Sequence, residues 1–204
     1  MTMRIKVCGI RRLEDALLAV DVGASAIGFV FWPASPRFID PFRARAVAAA
    51  LPPFVTRIGV FVNQPPDYVK SVVGLVRLGA VQLHGDENPG FYANAGVPVI
   101  KSVAVDERFR PTSVEDIQSD VTVLLDAHDP VLRGGTGRTI DWSAAADAAR
   151  RRRVILSGGL TPSNVRDAVE AVSPYAVDVS SGVESSPGVK DAGKLRAFCA
   201  AIGT

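Results

Sequence analysis

Cys8 is the first residue of the sequence that could carry out acid or base chemistry. It ends the segment Arg4–Cys8, in which polar and apolar residues alternate, and it shares a strand face with Lys6 because side chains alternate along a strand. A thiolate at Cys8 would act as a base or a nucleophile if the nearby ammonium group lowers its pKa. A lone cysteine on a strand is also commonly a small buried apolar residue, so the residue type alone leaves both interpretations open.

Asp126 is the second candidate for proton transfer. It follows the apolar segment Val121–Leu125, and burial against that strand would raise its pKa toward the range that a general acid needs near neutral pH. An Asp that only caps a turn is the alternative. The long segment that follows, residues 127–139, is Gly-rich at 133–138 and would form either a lid that excludes water or a flexible connection.

Two later segments end in small residues that could bind a phosphate group. The strand that begins at Ala176 breaks into a Ser-Ser-Gly turn, and the strand that ends at Leu156 is followed by Ser-Gly-Gly, with Thr161 and Pro162 predicted to cap the next helix. Turns of this kind offer backbone N–H groups and hydroxyls to one anion. The predicted phosphate-binding residues are Gly158, Gly159, Ser180, Ser181 and Gly182.

Four further polar residues have predicted supporting roles. Arg37 follows two prolines in a turn and would anchor a substrate carboxylate, or would be a solvated loop arginine. His84 would carry protons or, more commonly for a lone histidine at a strand end, hold its neighbours by hydrogen bonds. Lys6 and Asp178 lie on strands that become neighbours if the sheet closes, so we expect an ion pair between them, with ligand contact as the alternative.

The elements that must position these residues alternate along the chain. Strands are predicted at Arg4–Cys8, Ser25–Phe31, Val55–Val62, Ala80–His84, Val97–Val103, Val121–Leu125, Arg153–Leu156 and from Ala176 onward. Helices are predicted at Leu13–Val20, Pro41–Leu51, Pro65–Leu78, after Asp86 and Glu87, weakly at Thr112–Gln118, from about Asp141, at Val165–Val172 and at Asp191–Ile202.

This alternation predicts parallel strands joined by right-handed crossovers and, with eight strands, a closed α/β barrel. We therefore expect a single-domain (β/α)8 TIM barrel over residues 1–204, with the active site at the C-terminal ends of the strands. An open doubly wound sheet is the alternative. The first turn, Cys8-Gly-Ile-Arg11, lacks the Gly-rich dinucleotide motif, which counts against that fold.

The amino-acid composition indicates which kinds of partner the protein is not expected to bind. The chain has 204 residues, a net charge of +2 and 48% hydrophobic residues, which is typical of an ordinary soluble globular protein without affinity for nucleic acid or membranes. The run Arg150–Arg153 is interpreted as a solvated helix end.

Cys8 and Cys199 are far apart, and His84 and His128 are the two histidines, so neither a disulfide framework nor a metal site is expected. Without a leader or an apolar run of about 18 residues, a cytoplasmic location is expected.

The motifs in order resemble phosphoribosylanthranilate isomerase over the whole chain. They are Lys6–Ile10, Gly28–Phe31 with Ser35–Arg37, Gly59–Asn63, Val81–Gly85, Leu125 with Asp126, Gly134–Gly137 with Asp141 and Trp142, Leu156–Leu160, and Asp178–Glu184. The resemblance implies an enzyme of tryptophan biosynthesis that converts N-(5-phosphoribosyl)anthranilate to 1-(2-carboxyphenylamino)-1-deoxyribulose 5-phosphate by an Amadori rearrangement, without a metal or an organic cofactor.

The resemblance also implies roles for single residues. Asp126 matches the family's general acid and Cys8 its general base. Gly159, Ser181 and Gly182 match the phosphate site, and Arg37 matches the group that binds the anthranilate carboxylate. The partner would be a small phosphorylated substrate, and the protein would act as a stand-alone monomer or homodimer.

Two other functions remain open from the sequence. Another phosphosugar isomerase or epimerase could use the same barrel, but an enzyme with two carboxylates would carry an acid where Cys8 stands. A non-catalytic barrel that binds a phosphorylated metabolite would keep the phosphate site and lack Cys8 or Asp126, and both are present.

Overall fold

Each strand of the computed structural model pairs in parallel with the next strand along the chain, and the first strand pairs with the eighth. The structure describes residues 3–127 and 141–203. Its strands are β1 (Arg4–Cys8), β2 (Ala26–Val30), β3 (Thr56–Phe61), β4 (Ala80–Leu83), β5 (Val99–Val105), β6 (Thr122–Ala127), β7 (Val154–Leu156) and β8 (Ala176–Val179). The predicted closed (β/α)8 barrel is confirmed.

Six α-helices surround the barrel in the described ranges. They are α1 (Leu13–Asp21), α2 (Pro41–Ala49), α3 (Pro66–Val76), α4 (Trp142–Arg151), α5 (Val165–Val172) and α6 (Ala192–Ala201). Aspartates begin three of them: the carboxylates of Asp40, Asp141 and Asp191 accept hydrogen bonds from N–H groups in the first turns of α2, α4 and α6. None of the helices in these ranges is long and apolar enough to cross a bilayer.

Two predicted helical segments are 3-10 helices instead of α-helices. The segment after β4 is the 3-10 helix Pro89–Ala95, and the one after β5 is Pro111–Asp116. Each has a proline at its start, and the first ends at Gly96 in the left-handed conformation, which stops a helix. The expectation that Glu87 begins a helix was wrong, because its buried carboxylate accepts hydrogen bonds from the N–H groups of Asn63 and Gly85.

Apolar residues fill the lower part of the barrel interior. They form one buried cluster, to which six strands contribute: Ile58, Ala80, Ile100, Leu124, Ile155 and Ala176. Because inward positions alternate along a strand, the residue two places later faces the interior one layer higher. On β4, β6 and β8 those residues are Gln82, Asp126 and Asp178, all buried, so the upper layer of the interior is polar.

The arginine run at the end of α4 has two roles. Arg150, Arg151 and Arg153 are exposed, as expected for a solvated helix end. Arg152 is partly buried and donates to backbone carbonyls of the segment before β6, including those of Val114 at 2.7 Å and Ile117 at 2.8 Å. Arg152 therefore fastens α4 to that segment, which the charge pattern did not predict.

Candidate active site

A pocket lies at the C-terminal ends of the strands, where the barrel interior opens to solvent. Its polar lining comes from six strands or the loops after them: Cys8, Ser35, Arg37, Gln82, His84, Asp126, Ser157, Asp178 and Ser180. A smaller pocket adjoins it and shares Asp126, Ser157, Asp178 and Ser180, with Gly158, Gly159 and Ser181 completing its wall. The predicted catalytic residues and four of the five predicted phosphate-binding residues thus line these pockets, whereas Gly182 lines neither.

Cys8 lies in a confined position beside Gly28 of the neighbouring strand. A Cβ at residue 28 would be 2.9 Å from the Cys8 sulfur and 3.2 Å from Cε of Lys6, so only glycine leaves room for both side chains. Burial raises the pKa of the Cys8 thiol, and the ammonium of Lys6 opposes that shift without overcoming it. Lys6 alone lowers this pKa, as the sequence allowed, but desolvation exceeds its effect and the net shift is upward.

Lys6 and Asp178 form the predicted ion pair. Lys6 Nζ lies 2.9 Å from Asp178 Oδ1, and both side chains are buried. The pairing register places the two residues directly opposite each other where β1 and β8 close the barrel. Burial alone would lower the pKa of Lys6, but the Asp178 carboxylate outweighs it and holds that pKa above its usual value.

Asp126 has a histidine partner that the sequence did not identify. His84 Nε2 lies 3.2 Å from Asp126 Oδ2, and His84 Nδ1 lies 2.9 Å from the side-chain nitrogen of Gln82. With the Gln82 amide donating to Nδ1, a neutral imidazole carries its proton on Nε2 and directs it at Asp126. The prediction that His84 is a hydrogen-bonded group is confirmed, and Gln82 is an additional member of the site.

Arg37 is a buried ion-pair partner and not a solvated loop residue. Its Nε and Nη2 donate to the two carboxylate oxygens of Glu184, at 3.0 and 2.7 Å. Lys190 Nζ approaches the same carboxylate at 2.8 Å. Burial alone would raise the pKa of Glu184, but the hydrogen bonds and charges of Arg37 and Lys190 hold it below its usual value.

The loops after β7 and β8 pack tightly against each other. A Cβ at Gly182 would lie 1.9 Å from the backbone oxygen of Leu160, so only glycine allows this approach. Gly158 and Gly159 have φ values of +86° and +64°, and their N–H groups donate to no acceptor within the described part of the chain. Ser180 Oγ donates to the carbonyl of Cys8 at 3.3 Å, which links this loop to β1.

The helix after β7 has the predicted bounds, Val165–Val172, but its predicted cap residue was wrong. Asn164, not Thr161 or Pro162, is its cap residue, and α5 begins at Val165. The Asn164 side chain accepts from the N–H of Thr161 and donates to the carbonyl of Gly159. These bonds shape the loop 159–164 and turn the Gly159 carbonyl toward Asn164.

No cluster of three or more potential metal-binding side chains occurs within residues 3–127 and 141–203. Lys101, a further polar residue near a strand end, donates to the carbonyl of Gly85 at 2.5 Å and does not line either pocket. The predicted lid, residues 127–139, falls outside the described residues except for Ala127, which ends β6.

The sequence and the fold are similar to those of known isomerases. A family model for N-(5'-phosphoribosyl)anthranilate isomerase matches residues 5–201. The N-(5'-phosphoribosyl)anthranilate isomerase of Geobacter metallireducens is 52% identical over 198 residues, which cover 96% of each chain. The crystal structure of phosphoribosyl anthranilate isomerase from Thermus thermophilus is 46% identical, covers 98% of both chains and superposes with a TM-score of 0.88.

One similar structure contains a ligand. It is a phosphoribosyl anthranilate isomerase in complex with reduced 1-(o-carboxyphenylamino)-1-deoxyribulose 5-phosphate. It is 43% identical to the present chain, covers 97% of this chain and 96% of its own, and has a TM-score of 0.84.

Proposed function

The chain belongs to the N-(5'-phosphoribosyl)anthranilate isomerase family of tryptophan biosynthesis, and we propose that Cys8 and Asp126 supply the base and the acid of its reaction. The observation that carries this proposal is that both side chains line one pocket, which extends from the Gly-rich loops after β7 and β8 to Arg37. The substrate is N-(5'-phosphoribosyl)anthranilate, and the product is 1-(2-carboxyphenylamino)-1-deoxyribulose 5-phosphate.

Asp126 acts first, as the general acid. It gives a proton to the ring oxygen of the ribose, the bond from C1 to that oxygen breaks, and the lone pair of the anthranilate nitrogen forms a C=N bond at C1. The position of Asp126 near the end of β6, on the polar upper layer of the barrel, supports this role. Its contact with His84 fixes the direction of the carboxyl group.

Cys8 acts second, as the general base. Its thiolate takes the proton from C2 of the sugar, and the electron pair of that C–H bond neutralises the iminium and leaves an enol with a C1–C2 double bond. Protonation of C1 and loss of the proton from the C2 hydroxyl then give the ketone. Burial raises the pKa of the Cys8 thiol, so the thiolate is a stronger base once formed, and Lys6 is the adjacent cation that favours its charge.

The two ends of the substrate are held by different parts of the rim. The phosphate binds to the loops of Gly158, Gly159, Ser180, Ser181 and Gly182, and the anthranilate carboxylate binds Arg37. The compound bound to the related enzyme also carries a phosphate at one end and a carboxyphenyl group at the other, which supports two anion sites. Holding both ends orients the reacting carbons between Cys8 and Asp126 and lowers the entropic part of the barrier.

The proposal includes the wider properties expected from the sequence. Residues 1–204 act as one domain, the reaction uses no cofactor, and the protein works as a monomer or homodimer in the cytoplasm without a nucleic-acid partner. The oligomeric state and the location stay predictions.

The decisive experiment follows anthranilate-type fluorescence after freshly prepared phosphoribosylanthranilate is added to the purified protein. We expect turnover by the wild type and a loss of at least about 100-fold in Cys8→Ser and Asp126→Asn, the size expected when a general acid or base is removed. Cys199→Ala is the matched control, because Cys199 is the other buried cysteine and lies on α6 away from the pocket.

Two results would contradict the proposal. An inert wild type that still binds inorganic phosphate would exclude this substrate and favour another phosphosugar. An active wild type whose Cys8→Ser or Asp126→Asn variant keeps full activity would exclude the role of that residue.

A further inference from the structure

Three buried charges lie beside the pocket in a chain of contacts. Arg37 comes from the loop after β2, while Glu184 and Lys190 come from a two-stranded hairpin of Glu184–Ser186 and Val189–Lys190 that follows the loop after β8. As whole residues, all three are less than one-tenth exposed, and the Lys190 side chain is fully buried. Burying three charged side chains costs free energy, and apolar side chains of similar size could fill the same space. The presence of three charges therefore indicates a specific use of their arrangement.

We propose that Glu184 is a positioning residue for Arg37, and that Glu184 and Lys190 together hold the guanidinium so that its outer edge faces the substrate carboxylate. This inference rests on the proposed function of Arg37 as the carboxylate anchor. It deepens that function, because it assigns residues that the substrate does not touch.

The geometry of the ion pair carries the inference. Glu184 binds the guanidinium from the side, through Nε and one hydrogen of Nη2. The remaining hydrogen of Nη2 and the parallel hydrogen of Nη1 form the outer edge, and Nη1 has no hydrogen-bond partner within residues 3–127 and 141–203. An arginine held in this way presents a second pair of parallel N–H groups, which matches the two oxygens of another carboxylate.

The net charge of the group explains the presence of Lys190. Arg37 and Glu184 alone would sum to zero and would attract a carboxylate only weakly. Lys190 adds one positive charge at 2.8 Å from Glu184 without lining the pocket, so the group as a whole is positive by one. A bound carboxylate then completes the balance of two cations and two anions.

Lys190 also connects this group to the phosphate loop. Its Nζ donates to the carbonyl of Ser180 at 3.2 Å, and its backbone N–H donates to Asp15 of α1 at 3.2 Å. Asp15 in turn accepts two hydrogen bonds from Arg12. Gly9 packs against Arg37, since a Cβ at residue 9 would lie 2.5 Å from Arg37 Cδ. Arg37 is therefore held both by ionic contacts and by packing against the turn that follows β1.

The test distinguishes an effect on binding of the substrate carboxylate from an effect on binding of its phosphate. We would measure kcat and KM for phosphoribosylanthranilate, and the affinities for reduced 1-(o-carboxyphenylamino)-1-deoxyribulose 5-phosphate and for ribose 5-phosphate, which lacks the carboxylate. In Glu184→Gln we expect KM to rise and the affinity for the reduced compound to fall by about 10- to 100-fold, with a smaller change in kcat. The affinity for ribose 5-phosphate should change by less than about 3-fold, because phosphate binding does not use Arg37.

Two further variants complete the design. Lys190→Met removes the excess charge and should weaken the reduced compound more than ribose 5-phosphate, whose binding is affected only through the lost bond to the Ser180 carbonyl. This variant carries the test if Glu184→Gln does not fold. Lys194→Met is the matched control: Lys194 is exposed and donates to the backbone carbonyl of Glu184 at 2.7 Å, not to its carboxylate. We expect this control to keep the wild-type constants.

The inference is overturned if Glu184→Gln and Lys190→Met keep the wild-type KM, or if they weaken both ligands equally, as a purely structural role requires. Failure of the proposed function looks different, because the wild type would then be inert. In that case the difference between the two ligands still tests whether Glu184 positions Arg37 toward a carboxylate.

Discussion

His84 Nε2 lies 3.2 Å from Asp126 Oδ2, across the intervening strand β5. The imidazole is itself held from behind by Gln82, at 2.9 Å from Nδ1. The carboxyl group that we propose as the general acid is therefore fixed by residues of a different strand. A carboxyl group held in this way donates its proton in one direction. Opening of the ribose ring requires such a direction, because the ring oxygen of the bound substrate occupies one position.

Replacing His84 tests this contact. We expect His84→Ala to lower kcat by about 10-fold, since the hydrogen bond that orients the Asp126 carboxyl group is lost, while KM changes little because neither anion site is touched. His84→Gln keeps an N–H donor and should lose less. Steady-state fluorescence assays of both variants give the comparison, and an unchanged kcat in His84→Ala would show that Asp126 is oriented without it.

The pH dependence of the reaction should report Cys8. Burial raises the pKa of this thiol, so it stays protonated to higher pH than an ordinary cysteine, and the thiolate that acts as base increases as pH rises. We expect the Cys8 thiolate to increase with pH beyond 9.0, the ordinary thiol value, and kcat/KM to follow it as long as the general acid keeps its proton. The measurement is a pH–rate profile, paired with thiolate absorbance in wild type and Cys8→Ser.

Cys199 provides the control for that profile. Burial raises its pKa from 9.0 to about 11, so its thiolate also forms only at alkaline pH. Cys199→Ala should leave the rising limb of the profile unchanged. A limb that is lost in this control argues against Cys8 as the base.

Gly182 should tolerate no side chain. In Gly182→Ala the added Cβ would meet the Leu160 carbonyl at 1.9 Å, so the loops after β7 and β8 must separate. We expect a loss of about 1–3 kcal/mol in the free energy of unfolding and weaker binding of ribose 5-phosphate. Gly74→Ala is the control, since an added Cβ there has no neighbour within 4 Å and α3 should gain about 0.5–1 kcal/mol. Urea unfolding of both variants separates the cases.

The Lys6–Asp178 pair should be costly to break. Asp178→Asn leaves the Lys6 ammonium buried without its carboxylate, so we expect the free energy of unfolding to fall by about 3–5 kcal/mol. The half-exposed pair of Arg151 and Glu115, at 3.2 Å, is the comparison: Glu115→Gln should cost less than about 1 kcal/mol. Equal effects in urea unfolding would mean that the buried pair does not stabilise the barrel closure.

The sequence by itself determined the architecture and the candidates. Apolar segments that end in polar or small residues located the eight strands, and their alternation with helices required parallel pairing and closure. Closure makes β1 and β8 neighbours, so the contact between Lys6 and Asp178 followed from pattern alone. The rim candidates Cys8, Asp126 and Ser180 followed in the same way, because a strand end has a fixed place in a barrel.

Only the tertiary structure decided which of these side chains are in contact and how the pKa of Cys8 is shifted. Arg37 and Glu184 are 147 residues apart and meet because a hairpin folds back over the rim, a path that no local pattern encodes. The contact of His84 with Asp126 depends on side-chain directions across β5. The raised pKa of Cys8 depends on desolvation, which exceeds the effect of Lys6 only once the barrel is packed. Local periodicity fixes elements, whereas partners and pKa values depend on long-range contacts and on the exclusion of water.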